Sequence, residues 1–193
     1  METQFNVLLS IALGVALAAA VGFRVFVPLL VVSIAGYTGY MEVDGQLAWL
    51  ATWPALLMLS VAAVAEVLAY YIPGVDNLLD MLATPAALVA GTIVSAAVIT
   101  DLPPLIKWTT AVIAGGGIAG LTQGATALLR AKSTATTGGL GNPVVSTAEL
   151  GGSLFVSVLA LFVPLIALAV VIAFCWVVVR VIRRLLRPRS EQH

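Results

Sequence analysis

Arg24 and Glu66 each interrupt a run of apolar residues in this 193-residue chain. A carboxylate at the centre of a membrane helix costs roughly 2.5–3.5 kcal/mol on insertion scales, so Glu66, set between Ala65 and Val67, needs a partner, a proton or a cation. The five donors of Arg24 suit a carboxylate or phosphate group, and pairing it with Glu66 is the simplest structural solution. Asp76 and Asp80 stand four apart, on one face of a short amphipathic helix, where two oxygen ligands suit a hard cation; a solvated helix face is the plainer reading. The stretch 132–149 is rich in hydroxyls and glycine. Ser133, Thr134 and Asn142 within it, Thr126 before it and Glu149 at its end can present oxygens to a solute where irregular backbone lines a cavity. Ser146 and Glu149 also have the spacing of a capping box that would start the last helix.

Gly116, Gly120 and Gly124 recur every fourth residue, the small-residue device that lets another backbone approach closely. A nucleotide loop is a poor reading of Gly115 to Gly120, which lack a preceding strand and a following Lys-Ser/Thr. The single cysteine, Cys175, excludes an intrachain disulfide and a cysteine-cluster metal site. The one histidine, His193, leaves general-base chemistry and zinc hydrolysis almost nothing to work with. No catalytic residue, cofactor or metal is therefore expected, and an enzyme acting on lipid is the least favoured class. A nucleic-acid reader needs a basic folded face, whereas five of the nine basic residues here (Arg180, Arg183, Arg184, Arg187 and Arg189) crowd one tail.

Those candidates sit in a chain that is 61% hydrophobic and 9% charged, with a mean hydropathy of +1.11. Ordinary soluble domains carry roughly 25% charged residues. Charge-free runs at 3–23, 25–41, 45–65, 81–100, 108–129 and 153–179 approach the roughly 20 apolar residues that span a bilayer. The first two are divided only by Arg24, with Gly22 and Pro28 beside it, so this stretch breaks there into one kinked span, two short ones or a re-entrant pair. A helix should start at Trp53-Pro54 and end at Tyr70-Tyr71, with aromatics at both interfaces. Residues 75–83 should form a short helix, and Thr84-Pro85 should cap and open a new span. Residues 130–152 read as too polar for a lipid-facing helix. The last span runs over 153–179, interrupted by Pro164.

A polytopic all-α membrane bundle of about five to six spans follows, with broken or re-entrant helices, as one domain over 1–179 and a basic tail at 180–193. Sliding the chain by 102 positions superposes Gly22 on Gly124, Gly36 on Gly138 and Gly39 on Gly141. Two degenerate inverted halves, 1–100 and 101–179, are one explanation and chance in a glycine-rich chain the other; inverted repeats are common in transporters. Glu2 in place of a basic amino end argues against a signal peptide. The positive-inside rule places the arginine tail in the cytoplasm, in a bacterial inner membrane. A single last span would then leave Arg130 and Lys132 on the wrong side.

The sequences around Gly22 to Pro28, Glu66, Pro73 to Asp80, Thr84-Pro85 and 124–143 resemble a bacterial membrane family known as a domain of unknown function, DUF 4126. That resemblance covers nearly the whole chain and implies a class without a mechanism. The expected function is a transporter or permease moving an ion or small solute past Arg24, Glu66, Thr126, Ser133, Thr134, Asn142 and Glu149, with Asp76 and Asp80 as a secondary cation site. The rival is a non-transporting scaffold or assembly factor. Expected partners are the bilayer and an ion or small solute, no nucleic acid, with a homo-oligomer left open.

Overall fold

The computed structural model describes residues 2–72, 75–100 and 102–185, leaving out the side chains of residues 2–4, 76, 77, 182 and 185. Eight α-helices make up a bundle: α1 (Glu2–Val21), α2 (Phe26–Tyr37), α3 (Trp53–Ala69), α4 (Val75–Val98), α5 (Pro104–Thr110), α6 (Gly117–Thr137), α7 (Asn142–Phe162) and α8 (Pro164–Leu185). Among the described residues there is no strand. Pro54, Pro104, Pro143 and Pro164 all fall in the first turn of a helix, where the missing N–H costs nothing and the fixed φ is already helical. Among the described residues, four stretches are long and apolar enough to cross a membrane: Leu78–Val98, Pro104–Thr137, Asn142–Phe162 and Pro164–Val181. A fifth arises if the 3₁₀ segment Gly45–Ala51 and α3, bent by 65°, act as one broken span.

The central helix is α1, whose Ala16, Leu17, Ala18, Ala19, Ala20 and Val21 are all buried. A helix apolar all round belongs inside, and alanines allow neighbours close on every side. By contrast, the outward faces of α3 and α8 expose Met58, Val61, Leu68, Ile172 and Trp176. Such broad apolar surfaces mark a membrane interaction, and the whole is the arrangement of an integral membrane helix bundle.

Helix directions follow from cross-contacts. A Cβ on Gly152 would lie 3.9 Å from the Phe23 ring, and that ring packs on Phe174 at 5.3 Å between centroids. Gly152 and Phe174 are each eleven residues from Val163, so a straight rod would hold them about 33 Å apart. Helices α7 and α8 are therefore an antiparallel hairpin turning at Val163-Pro164, which corrects the expected single last span. The reversal returns α8 to the end of the bundle where the α6–α7 turn lies. Arg130, Lys132, Arg180, Arg183 and Arg184 thus share one end, and the charge conflict disappears.

Two further boundaries differ from expectation. Helix α4 is continuous through Pro85 and does not restart at Thr84. Ending a helix in lipid strands several backbone groups, whereas a proline strands one, and the Thr84 hydroxyl donates to the Asp80 carbonyl at 3.1 Å. Residues 130–152 are also largely helical, with only the turn at 138–141 between α6 and α7. Gly138 ends α6 at φ 63°, the left-handed conformation that glycine adopts without a Cβ penalty. The polar side chains of this hairpin serve one another: Asn142 Nδ2 donates to Thr134 Oγ1 at 2.9 Å, and Thr137 Oγ1 to the Ser133 carbonyl at 2.8 Å. Because α7 begins at Asn142, Ser146 and Glu149 lie within it, and the capping-box reading fails.

Glycines tighten the α1–α4–α6 seam, though not all those expected. A Cβ on Gly115 would meet the Gly91 carbonyl at 2.8 Å, on Gly116 the Thr92 hydroxyl at 2.7 Å, and on Gly120 the Leu88 side chain at 2.6 Å. Gly124 faces open space, so it is no part of the seam. The glycines paired by the 102-residue shift occupy unlike settings: Gly22 lies at the α1–α2 break, Gly124 inside α6; Gly36 is helical, Gly138 left-handed.

Candidate functional site

The break between α1 and α2 is where the polar chemistry gathers. Gly22 lies against α6 so closely that a Cβ would sit 2.5 Å from the Ala119 carbonyl and 2.4 Å from Thr122 Cβ. The chain turns there, and Arg24 enters the bundle with 1% of its surface exposed. Its Nη2 donates to the Ser146 carbonyl at 2.9 Å and to the Ser146 hydroxyl, and lies 3.5 Å from Glu149 Oε2. Ser146 and Glu149 are three apart on α7 and so face the same neighbour.

The α6–α7 hairpin sets Arg130 beside Glu149 in a close ion pair, and Arg130 Nη1 also lies 3.4 Å from Asp80 Oδ1 of α4. Tyr70, which closes α3, ties the two arginines together. Its ring centroid lies 3.9 Å from the Arg24 guanidinium carbon and 4.1 Å from that of Arg130, and its hydroxyl donates to Asp80 at 3.3 Å. Cations over an aromatic face are attracted by the ring quadrupole, the more so away from water.

Glu66 is four residues before Tyr70 and so on the same face of α3. It is not the ion-pair partner expected for Arg24. Its carboxylate accepts from the backbone N–H groups of Val25 at 2.7 Å and Phe26 at 3.0 Å. It thereby satisfies two stranded donors at the start of α2, where the helix dipole favours negative charge. The carboxylate that pairs with Arg24 is Glu149.

Among the described residues, two guanidiniums and three carboxylates from α3, α4, α6, α7 and the α1–α2 break thus share one site, with a formal charge of −1. Within it, Arg24 Nε and Nη1 and Glu149 Oε1 are buried with no hydrogen-bond partner among the described residues. A cavity of about 440 Å³ between α3 and α4 reaches Glu66 and Tyr70.

Of the residues singled out from the sequence, Arg24, Glu66, Asp80 and Glu149 come together. Thr126 is buried one turn before Arg130, with its hydroxyl donated to the Gln123 carbonyl at 3.0 Å. Ser133, Thr134 and Asn142 belong to the α6–α7 hairpin, where Asn142 bonds Thr134 and the Ser133 carbonyl accepts from Thr137. The Asp76 side chain lies outside the described residues, while Asp80 is engaged by Arg130 and Tyr70. Sequence reasoning missed Arg130, Tyr70 and Ser146. The signal for Arg130 was its conflict with the arginine tail; Tyr70 and Ser146 had plausible local roles that concealed them. At the opposite end, buried Lys107 pairs with Asp44 at 2.8 Å, a pair that spacing alone did not suggest.

Comparison with curated proteins and with solved structures finds no match. A family model does match, over residues 11–184, and the chain belongs to that family, described as a domain of unknown function, DUF4126.

Proposed function

We propose that the protein is a small permease-like transporter that moves an ion or small solute, with the Arg24–Glu66–Tyr70–Asp80–Arg130–Glu149 cluster as its site. One observation carries this reading: ionisable groups from five separate parts of the chain converge in a buried cluster that keeps unused hydrogen-bonding capacity. A bundle that needed only to hold together would be served more cheaply by apolar packing, since replacing buried ion pairs by well-packed hydrophobic groups is often neutral or stabilising. Intramembrane charges of this kind mark ion paths and proton relays. The surplus carboxylate makes a proton or a monovalent cation the favoured passenger, and no catalytic step is assigned to the site.

In this reading the charged end of the bundle faces the cytoplasm of a bacterial inner membrane, since Lys132 and the tail arginines lie there together. Toward the other end the seam of Gly14 on Ser95, Gly91 on Ala119 and Gly22 on Thr122 keeps the path shut. A transporter closed on one side of its site is one of the two states that alternating access requires.

The test is proton flux into proteoliposomes carrying a pH-sensitive dye, under a potassium-diffusion potential. Wild-type protein should dissipate the imposed gradient faster than empty vesicles, and Glu66→Gln, reconstituted to the same density, should not. Equal flux for the two proteins would remove Glu66 from the path. Stable co-purification of a partner, with no flux of any ion, would favour the scaffold instead.

A further inference from the structure

The cavity between α3 and α4 has a composition that selects its occupant. Its walls are shaped by small side chains facing one another, Ala62, Ala65 and Ala69 from α3 and Ala83 and Ala86 from α4. That shortage of bulk leaves a crevice between the two helices, and Ala65, Leu82 and Ala86 of its lining are exposed on the apolar surface of the bundle. A volume of about 440 Å³ lies within the roughly 300–1,000 Å³ of small-molecule sites.

Polar groups enter the crevice from one side only. Glu66 is half-buried and forms part of its lining, as does Tyr70. Each Glu66 oxygen accepts one backbone N–H, and a carboxylate has about four acceptor sites, so capacity remains for a ligand. Both guanidiniums of the cluster have carboxylate partners, on Glu149 and Asp80. Glu66 has no ion pair within 4 Å among the described residues, and its carboxylate is the charge that a visitor to the crevice would meet.

The geometry points to a lateral binding site for a hydrophobic monocation, an amphiphile with an apolar body and one positive charge, which enters from the bilayer and is held by Glu66. Apolar walls accept the body, and the Glu66 carboxylate in the lining selects the sign of the charge. A neutral or anionic lipid finds the same walls without the electrostatic gain. This assignment deepens the transporter reading by naming a class of passenger, and rests on that reading for its purpose.

Tetraphenylphosphonium is the probe, and tetraphenylborate, of similar shape and opposite charge, is the control. Both are titrated against the full-length protein in detergent micelles, with binding followed by equilibrium dialysis. Saturable binding of the cation alone is expected, weakened at least about tenfold in Glu66→Gln, which removes a charge–charge attraction in a partly desolvated crevice. A second variant, Ala65→Leu with Ala86→Leu, fills the crevice from two exposed positions and leaves Glu66 in place; it should abolish binding while keeping the wild-type melting temperature. Equal binding of both probes, or undiminished binding by either variant, would overturn the assignment. Glu66-dependent proton flux with no binding of the cation would defeat this inference and leave the transporter reading standing. Cation binding without any flux would do the reverse.

Discussion

Replacing Glu149 by Gln removes one charge and changes little in shape, which makes it the sharpest probe of the cluster. In the native bundle this carboxylate serves Arg24 at 3.5 Å and Arg130 in a closer pair, with side chains that are 0%, 2% and 4% exposed for Arg24, Arg130 and Glu149. Arg130 would keep Asp80, 3.4 Å away, but among the described residues Arg24 would lose its one carboxylate within 4 Å and keep Ser146 and the face of Tyr70. Removing one partner of a buried ion pair costs about 3–5 kcal/mol, because the remaining charge stays desolvated. For a chain of this size each kcal/mol lowers Tm by about 2–4 °C, so the expected fall is about 6–20 °C. Thermal unfolding in detergent, followed by the fluorescence of the four tryptophans, reads it directly. Adding Arg24→Gln removes the stranded charge, and the double variant should be less destabilised than the sum of the singles by about 0.5–3 kcal/mol. A fall of less than 2 °C for Glu149→Gln, or strict additivity, would show that the groups are solvated and independent.

The glycine seam makes a paired prediction. Gly115→Ala should destabilise by about 1–3 kcal/mol through overpacking, because its Cβ would lie 2.8 Å from the Gly91 carbonyl. Gly124→Ala, which meets nothing within 4 Å, should raise Tm through helix propensity, worth up to about 1 kcal/mol; the same melting assay compares them. Pro85→Ala restores a missing N–H in the interior of α4 and should stabilise by no more than about 3 kcal/mol. A fall in Tm for that variant would mean that the proline relieves a strain in α4.

Local chemistry made much of the bundle legible. Trp53-Pro54 announces the start of α3 because a proline suits the first helical turn, and the structure adds Thr52 as its cap. The break after Gly22 could be read from glycine, arginine and proline in close succession. What sequence could not give was angle and partnership. Pro164 reads as an interruption, yet nothing local says that the chain reverses there; the reversal shows in Phe23 packing beside both Gly152 of α7 and Phe174 of α8. The stretch 130–152 looks too polar for a lipid-facing helix only while its partners are unknown. Once Arg130 meets Glu149, and Thr134 meets Asn142, the same polarity holds two helices together. Likewise, the site's ionisable residues were visible singly as costly intramembrane charges, but their pairing depends on helices far apart in the chain. Read on charge alone, Glu66 fits a partner for Arg24, a proton site or a cation site, whereas the stranded N–H groups of α2 hold it directly.

Side-specific labelling at position 66 separates a working pathway from a sealed structural knot. With Cys175 replaced by Ser, Glu66→Cys in oriented membrane vesicles is treated with a small membrane-impermeant thiol reagent from either side, and Ser95→Cys in the tight seam serves as the reference. Reaction at position 66 from the side of the arginine tail, with position 95 unreactive, is the expected result. A thiol at position 66 that stays silent from both sides would contradict a hydrated path through the cluster.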